Sequence, residues 1–543
     1  MWPAGCGKDP PAAGGSSSTV LAPVPAPVTL AADVFLTSPE ATWAKVRGLI
    51  NAPAAFVPQS FGGLVASLLG FPITAVAEID GGVPVLGAVL APQEGTRPRG
   101  VLAIHVKEGT RFLELLTRGE SARFATEVDL GSSITMVVQK GGSGGPYAMG
   151  VLGNYLLVAQ TRVDLLEGGP YAARTLPTAP VPKEELVLQV GEAALDGPVR
   201  PWMAQGAKRL DELPAALQQA LAPVRGVLES AGDLSSARLA AAIGDASTRV
   251  QVTLVPRAGT RARAFVDELD VGDLGPLLGL PADTLAAVVL RDAGKASDQA
   301  LQAQVATIAG VLGMELPEKD RAQLSGALGE LASVTGDWVS AGVSLGPTGP
   351  AGYFGAEVKD EARFWAAGGA LGAFLDKGPG KALLAGHAMR AKGDKTKLEN
   401  FAGDVGRIRI SRTEGAPTAA AKDQGLPAAV DVLYTVRDGK LLAVASTDAP
   451  AALRRLASSG KLESSASAKA AAERLGGGMA LTVFLEPLLM VASRAGRPGA
   501  GESAPVLFGY GREGDKGGPM SVRVDASNLA VREAIKQRAV LAP

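Results

Sequence analysis

Residues 153–161 read Gly-Asn-Tyr-Leu-Leu-Val-Ala-Gln-Thr, and residues 438–447 read Asp-Gly-Lys-Leu-Leu-Ala-Val-Ala-Ser-Thr. Each opens on a two-residue turn, Gly153-Asn154 or Asp438-Gly439. Such pairs join adjacent antiparallel strands, because their backbone twist matches that of the strands they link. A short apolar run of strand type follows, and then a Thr suited to capping a helix. Each stretch leads on to another strand, Leu186–Val190 after the first and Met479–Phe484 after the second. Hairpin, strand and helix in so short a span predict an α+β fold, antiparallel sheets with packed helices. Their recurrence predicts two similar tandem halves.

Reading outward, residues 33–37 form an apolar strand, and Ser38-Pro39 opens a helix that runs to about Leu49. A strand over Val101–Lys107 and a helix marked by Phe112, Leu113, Leu115 and Leu116 come next. A meander follows over 122–129, 133–140, 146–152 and 155–160, and then a helix near 161–168. Leu210, Leu213, Leu217, Leu221, Val224 and Leu228 share one helical face, divided at Pro214 and Pro223. Strands at 236–244 and 248–256 flank a turn at Gly244-Asp245. The pattern then restarts. Ala282-Asp283-Thr284-Leu285 and the apolar run behind it echo Ala32-Asp33-Val34-Phe35, and a helix capped by Ser297 carries Leu301, Val305, Ile308 and Leu312. A strand at Met520–Asp525 and a helix from Ser527 to Arg538 close the chain. The expected division is a linker over 1–28 and α+β halves over 29–280 and 281–543.

Composition narrows the chemistry. Hydrophobic residues make up 47% and charged residues 20%, a globular balance, and the net charge is −1. No basic run or stripe is present, so nucleic acid is not an expected partner. One cysteine and two histidines, His105 and His387, cannot supply the four ligands of a structural zinc site. No phosphate-binding loop is complete: Gly294-Lys295, Gly380-Lys381 and Gly460-Lys461 lack both the leading glycine and the Ser/Thr. No cofactor is expected. Gly141-Gly142-Ser143-Gly144-Gly145 matches the serine-hydrolase elbow in letters, but strand pattern flanks it on both sides, so it reads as a hairpin loop. His105 reads as a sheet residue, and His387 carries no mark of a catalytic base.

Ala4-Gly5-Cys6 precedes a Pro/Gly/Ala/Ser-rich run to about Val28. This resembles the lipobox and flexible tether of bacterial lipoproteins, with Pro3 where that motif favours Leu. The resemblance implies lipidation of Cys6, attachment to a membrane of the bacterial cell envelope, and a signal segment longer than the five residues before Cys6. The body, at Leu280-Pro281-Ala282-Asp283-Thr284-Leu285, is similar to uncharacterised exported bacterial proteins with duplicated α+β halves, which implies no activity. From Gly48 to Ala77 no residue is charged, yet Pro53, Pro58, Pro72, Gly62, Gly63 and Gly70 interrupt any spanning helix. That segment reads as two short buried helices and a core strand.

These features predict a lipid-anchored envelope protein with a non-catalytic binding or scaffolding role, its partner an envelope protein or an apolar ligand. Two other expectations stand beside it. One is a carrier of an apolar ligand or lipid in a cleft between helices and sheet, lined by 48–77. The other is a carboxylate-dependent cell-envelope hydrolase.

Overall fold

The computed structural model describes residues 21–50, 57–92, 99–118, 122–129, 131–140, 147–212, 218, 221–291, 318–346, 349–377, 379–386, 389–398, 401, 403–413, 429–458, 460–494 and 502–541. Cys6, Ser143, His387 and the helix expected over Leu301–Leu312 lie outside the described residues. The chain divides into two compact units. One comprises residues up to Glu40 with Pro58–Lys183, the other Ala41–Val57 with Glu184–Pro543. The helix expected after Ser38 runs Pro39–Ile50 (α1).

The first unit holds β1 (Leu30–Leu36), β2 (Val85–Leu90), β3 (Arg99–His105), β4 (Phe124–Asp129), β5 (Ile134–Gln139), β6 (Ala148–Leu152) and β7 (Tyr155–Ala159). They pair antiparallel in the order β1-β2-β3-β7-β6-β5-β4. One cross-strand row, Phe35-Leu86-Ala103-Leu157-Gly150-Met136, is buried throughout. Two shorter helices, α2 (Phe61–Leu69) and α3 (Gly109–Thr117), precede the helix that covers this face. That helix, α4 (Arg162–Arg174), starts where the Thr161 side chain accepts from the Asp164 backbone. It sits close because Gly168 and Gly169 bring no side chain. A Cβ at either would lie 2.7 Å from Val101 Cγ1 or 2.8 Å from Leu157 Cδ1. Arg99 ties α4 to β3, donating to fully buried Asp164 at 2.9 Å and to Glu167 at 3.0 Å.

Two expectations in this unit give way. After α2 ends at Gly70, in the left-handed region at φ 70°, the awaited core strand of the uncharged segment is a 3-10 helix over Ile73–Glu78. Pro72 sits just ahead of it, in the extended conformation that starts a turn. The tether was expected to reach Val28, yet residues 21–28 lie against α4. Val24 N donates to Thr175 Oγ1 at 2.9 Å, and Arg174 donates to Ala22 O at 2.7 Å.

The second unit holds β8 (Leu186–Val190), β9 (Leu234–Ile243), β10 (Ser247–Pro256), β11 (Thr284–Arg291), β12 (Thr335–Gly346), β13 (Gly349–Val358) and β14 (Met389–Thr396). It continues with β15 (Val405–Arg412), β16 (Ala429–Arg437), β17 (Lys440–Ser446), β18 (Met479–Leu485), β19 (Val506–Arg512) and β20 (Met520–Ser527). The pairing order is β8-β9-β10-β20-β19-β18-β11-β12-β13-β17-β16-β15-β14, antiparallel throughout. Its helices are α5 (Glu192–Asp196), α6 (Arg200–Arg209), α7 (Ala222–Glu229), α8 (Arg261–Glu268), α9 (Gly275–Leu278), α10 (Glu318–Val334) and α11 (Glu361–Asp376). Then come α12 (Pro379–Gly386), α13 (Ala449–Ala457), α14 (Ala466–Leu475), α15 (Pro487–Arg494) and α16 (Asn528–Leu541). Of the helical stretch expected over Leu210–Leu228, divided at Pro214 and Pro223, the described residues show a 3-10 turn over Leu210–Glu212 and α7; residues 213–217 and 219–220 lie outside the described residues. Pro201 and Pro223 both stand in first turns, where no amide hydrogen is needed.

Leu507, Phe484, Ala287, Tyr353, Val444 and Leu433 share a cluster with Leu277 of α9, Leu453 of α13 and Ala471 of α14. On a second cluster, Phe364 of α11 packs with Val334, Ala356 and Leu441. At the β10–β20 pair, fully buried Asp525 accepts from Arg474 Nη2 at 2.9 Å and from Ser247 Oγ at 3.0 Å.

The strand order β1-β2-β3-β7-β6-β5-β4 recurs link for link as β11-β12-β13-β17-β16-β15-β14. The register breaks at matching places too, between Leu30 and Ala32 and between Thr284 and Ala286. Val106 N donates to Asn154 O at 2.9 Å, as Val358 N donates to Gly439 O at 2.8 Å. The shared register break aligns Asp33 with Ala287, so the Asp33–Asp283 echo of the sequence is four residues out of step. Asp33 lies inside β1 and accepts from Tyr171, whereas Asp283 precedes β11 and pairs with Arg455.

Candidate functional site

The second unit carries a cleft of about 790 Å3 between sheet and helices. Trp338 and Ser340 of β12, Gly355 of β13 and Leu442 of β17 form its floor. Leu278 of α9 and Leu456 of α13 stand as its walls. The floor depends on Gly355: a Cβ there would meet Ser340 Oγ at 2.9 Å and the Trp338 ring at 3.6 Å.

Local sequence places each wall. The α13 helix begins at Asp448, whose side chain accepts from Ala451 N at 3.2 Å, and Pro450 occupies its first turn. The β16–β17 turn has Asp438 at φ 51° and Gly439 at φ 69°. Both are left-handed, the tight hairpin form that Asp-Gly favours, and it projects Arg437, Asp438 and Lys440 to the cleft. The α9 helix is pinned by Leu274, Leu277 and Leu280, all buried.

The rim is charged. Arg291 donates to Asp273 O at 2.7 Å, and Arg437 lies 3.8 Å from Asp438. Lys440, Lys461 and Glu463 also line the cleft, and among the described residues no ion pair engages them. The result is a floor of Trp338, Leu442, Gly355 and one hydroxyl, Ser340, with a mixed, slightly basic rim. Such a surface orients an amphipathic ligand. It gives little to acid–base chemistry, since the Asp273 and Asp438 side chains are 86% and 89% exposed. A carboxyl kept protonated for catalysis needs shielding from water.

Smaller grooves are more apolar. In the first unit, Leu68 and Leu69 line one of about 440 Å3 with Phe124, Met136, Val137 and Met149, so part of the uncharged 48–77 segment does face a groove. In the second unit, Leu285, Val343, Leu345, Ala351 and Met490 line one of about 400 Å3.

His105 closes β3, with Nδ1 3.3 Å from Asp80 and its ring edge-on to Tyr155 at 5.4 Å between centroids. It belongs to the first unit and is not brought to the cleft. The cleft residues span 273 to 463 and match no motif. The turn Asp438-Gly439 is the signal in the sequence that touches them. Among the described residues no group of three or more His, Cys, Asp and Glu side chains is placed to hold a metal ion. Nor is any helix there long and apolar enough to cross a membrane.

The chain matches no protein-family profile and no curated protein. Among solved structures, crystal form IV of TP0453 is 10% identical over 44% of this chain and 83% of that chain, with a TM-score of 0.25. That likeness is too slight to bear on the fold.

Proposed function

We propose that this protein is a non-catalytic binding protein of the bacterial envelope, held to a membrane through lipid on Cys6. It uses the cleft of its second unit to hold a ligand. The cleft carries the reading: it is roomy, and its lining mixes apolar with charged side chains, as a binding site for an amphipathic ligand does. Small residues ahead of Cys6 and the Pro/Gly-rich run behind it support the anchor. The recurring strand order supports two similar tandem halves, 29–280 and 281–543. A second reading, a carrier of an apolar ligand or lipid, is favoured by the two apolar grooves.

The anchor is tested by expressing the gene with its upstream region in a bacterium and comparing wild type with Cys6→Ala. The wild type is expected in the membrane fraction with an acylated Cys6 at its N-terminus by intact mass, and the variant is not. Two soluble, unmodified proteins would remove the envelope assignment. Each buried CH2 of an acyl chain contributes about 0.8 kcal/mol, so loss of lipid should release the protein fully.

A further inference from the structure

One end of the first unit holds large apolar side chains out to solvent. Helix α2 reads Phe-Gly-Gly-Leu-Val-Ala-Ser-Leu-Leu, without a charge. Phe61, Val65 and Ala66 form its buried face, and an ordinary amphipathic helix would be polar on the other. Instead Leu68 stands there, 64% exposed. Val138 of β5 and Tyr147 just ahead of β6 are exposed beside it, and all three border the groove of about 440 Å3, above buried Phe124, Met136 and Met149. Arg162 lines the groove too, and Val163 after it is 56% exposed.

Charge sets this groove apart from the cleft of the second unit. Asp273, Asp438 and Glu463 line the cleft, whereas among the described residues no carboxylate lines the groove. At its rim stand Arg123 and Lys140, both exposed, where Lys140 N donates to Arg123 O at 2.7 Å. They flank the cross-strand pair Phe124 and Gln139, whose two members line the groove. Among the described residues no ion pair engages either base. Apolar side chains, a tyrosine at their edge and unpaired bases outside them follow the order met from the acyl region of an anionic bilayer to its headgroups.

The path of the chain agrees with that order. Fourteen residues separate Cys6 from Leu21, at most about 50 Å of chain. Leu21 packs at the β6–β7 turn, its Cδ1 3.3 Å from where a Cβ at Gly153 would lie, and β6 leads from that turn back to Tyr147 in about 17 Å. We propose that this end of the first unit docks onto an anionic lipid bilayer. Leu68, Val138, Tyr147 and Val163 enter the acyl boundary, and Arg123 and Lys140 meet the phosphates. The contact deepens the membrane reading given above but does not need lipid on Cys6. It is weaker than an acyl chain, and a single acyl chain already binds only marginally and reversibly. The Cys6→Ala chain therefore washes free of membranes in cell fractionation and docks only where vesicles are in excess.

The test titrates the full chain carrying Cys6→Ala with vesicles of equal parts phosphatidylglycerol and phosphatidylethanolamine at low salt, read by flotation. Saturable binding is expected, at least tenfold weaker for Leu68→Glu/Tyr147→Glu and for Arg123→Glu/Lys140→Glu, and weaker on phosphatidylcholine vesicles. All four positions are exposed, so both variants should melt like their parent. Cys6 is the chain's one thiol, so Leu68→Cys in this background carries a single polarity-sensitive fluorophore, whose emission should shift to the blue on docking. No binding with vesicles in excess, binding indifferent to both double variants, or an unshifted fluorophore on bound protein would each overturn the contact. Its failure beside an acylated Cys6 in the wild type would leave the anchor standing, whereas docking by a chain that is never acylated would uphold the contact without the anchor.

Discussion

The seven strands of the first unit and their counterparts β11–β17 follow one connectivity but are roofed differently. Over the first, α4 spans 13 residues and presents Gly168-Gly169 to the sheet, and Ala22 and Val24 bond to its end. Over the second, α13 spans 9 residues. Counting from the capping residues Thr161 and Asp448, it carries Arg455-Leu456 where α4 carries the glycines. Leu456 is buried in the core that α13 shares with β13, β16 and β17, and it also lines the cleft. One connectivity thus carries two different helix–sheet contacts, glycines under α4 and leucines under α13.

Three substitutions probe that contrast. The largest effect is expected where the second unit joins β10 to β20. Arg474→Ala leaves the fully buried Asp525 carboxylate without its bidentate partner. Losing one member of a buried pair costs about 3–5 kcal/mol. Denaturant unfolding should show that loss in the second unit, with the first unit's protection from hydrogen exchange unchanged; a loss below 1 kcal/mol would show the seam is held by packing alone. Next comes Gly169→Ala, whose Cβ would be driven against Leu157 Cδ1 at 2.8 Å. Overpacking of this kind costs about 1–3 kcal/mol. A neutral or stabilising result would mean that α4 can shift to take a Cβ, and the contrast between the two roofs would dissolve.

The smallest effect is pH-dependent. Burial pushes the Asp33 carboxyl above its ordinary 3.8, against the hydrogen bond from Tyr171 that favours the charged form. The native state therefore holds this proton more tightly than the unfolded chain does. Wild type loses stability as pH rises from 3.8 through the raised value, and above it the ionised group weighs fully on the fold. Asp33→Asn keeps an acceptor for Tyr171 without the charge. Its melting temperature should exceed that of wild type near pH 7, and the gap should close as pH falls towards 3.8. A gap that is constant with pH would show that Asp33 ionisation does not matter to the first unit, and would leave the glycines and the bonds of Ala22 and Val24 as what sets it apart.

Much of the secondary structure was legible. The meander 122–160, the strand Leu186–Val190 and the hairpin at Gly244-Asp245 all carry alternation and turn residues that act over a few positions. The strands β12 and β13 were not read, because Ala, Gly and Ser dilute their apolar alternation. Of the candidate site, the Asp438-Gly439 turn and the strand after it were legible, and the rest was not. Leu278, Trp338, Gly355 and Leu456 come together only through pairings between strands far apart in the chain, and none has a chemistry of its own that marks it.

By itself the sequence determined the fold class, the turns and the scarcity of imidazole and thiol, since these follow from local backbone preference and from composition. It also carries the Cys6 layout on which the proposed anchor rests. Only the tertiary structure decided which strands are neighbours, that residues 21–29 lie along α4, and that a cleft stands open beside α13. Those outcomes depend on contacts between residues far apart in the chain, which local backbone preference does not reach.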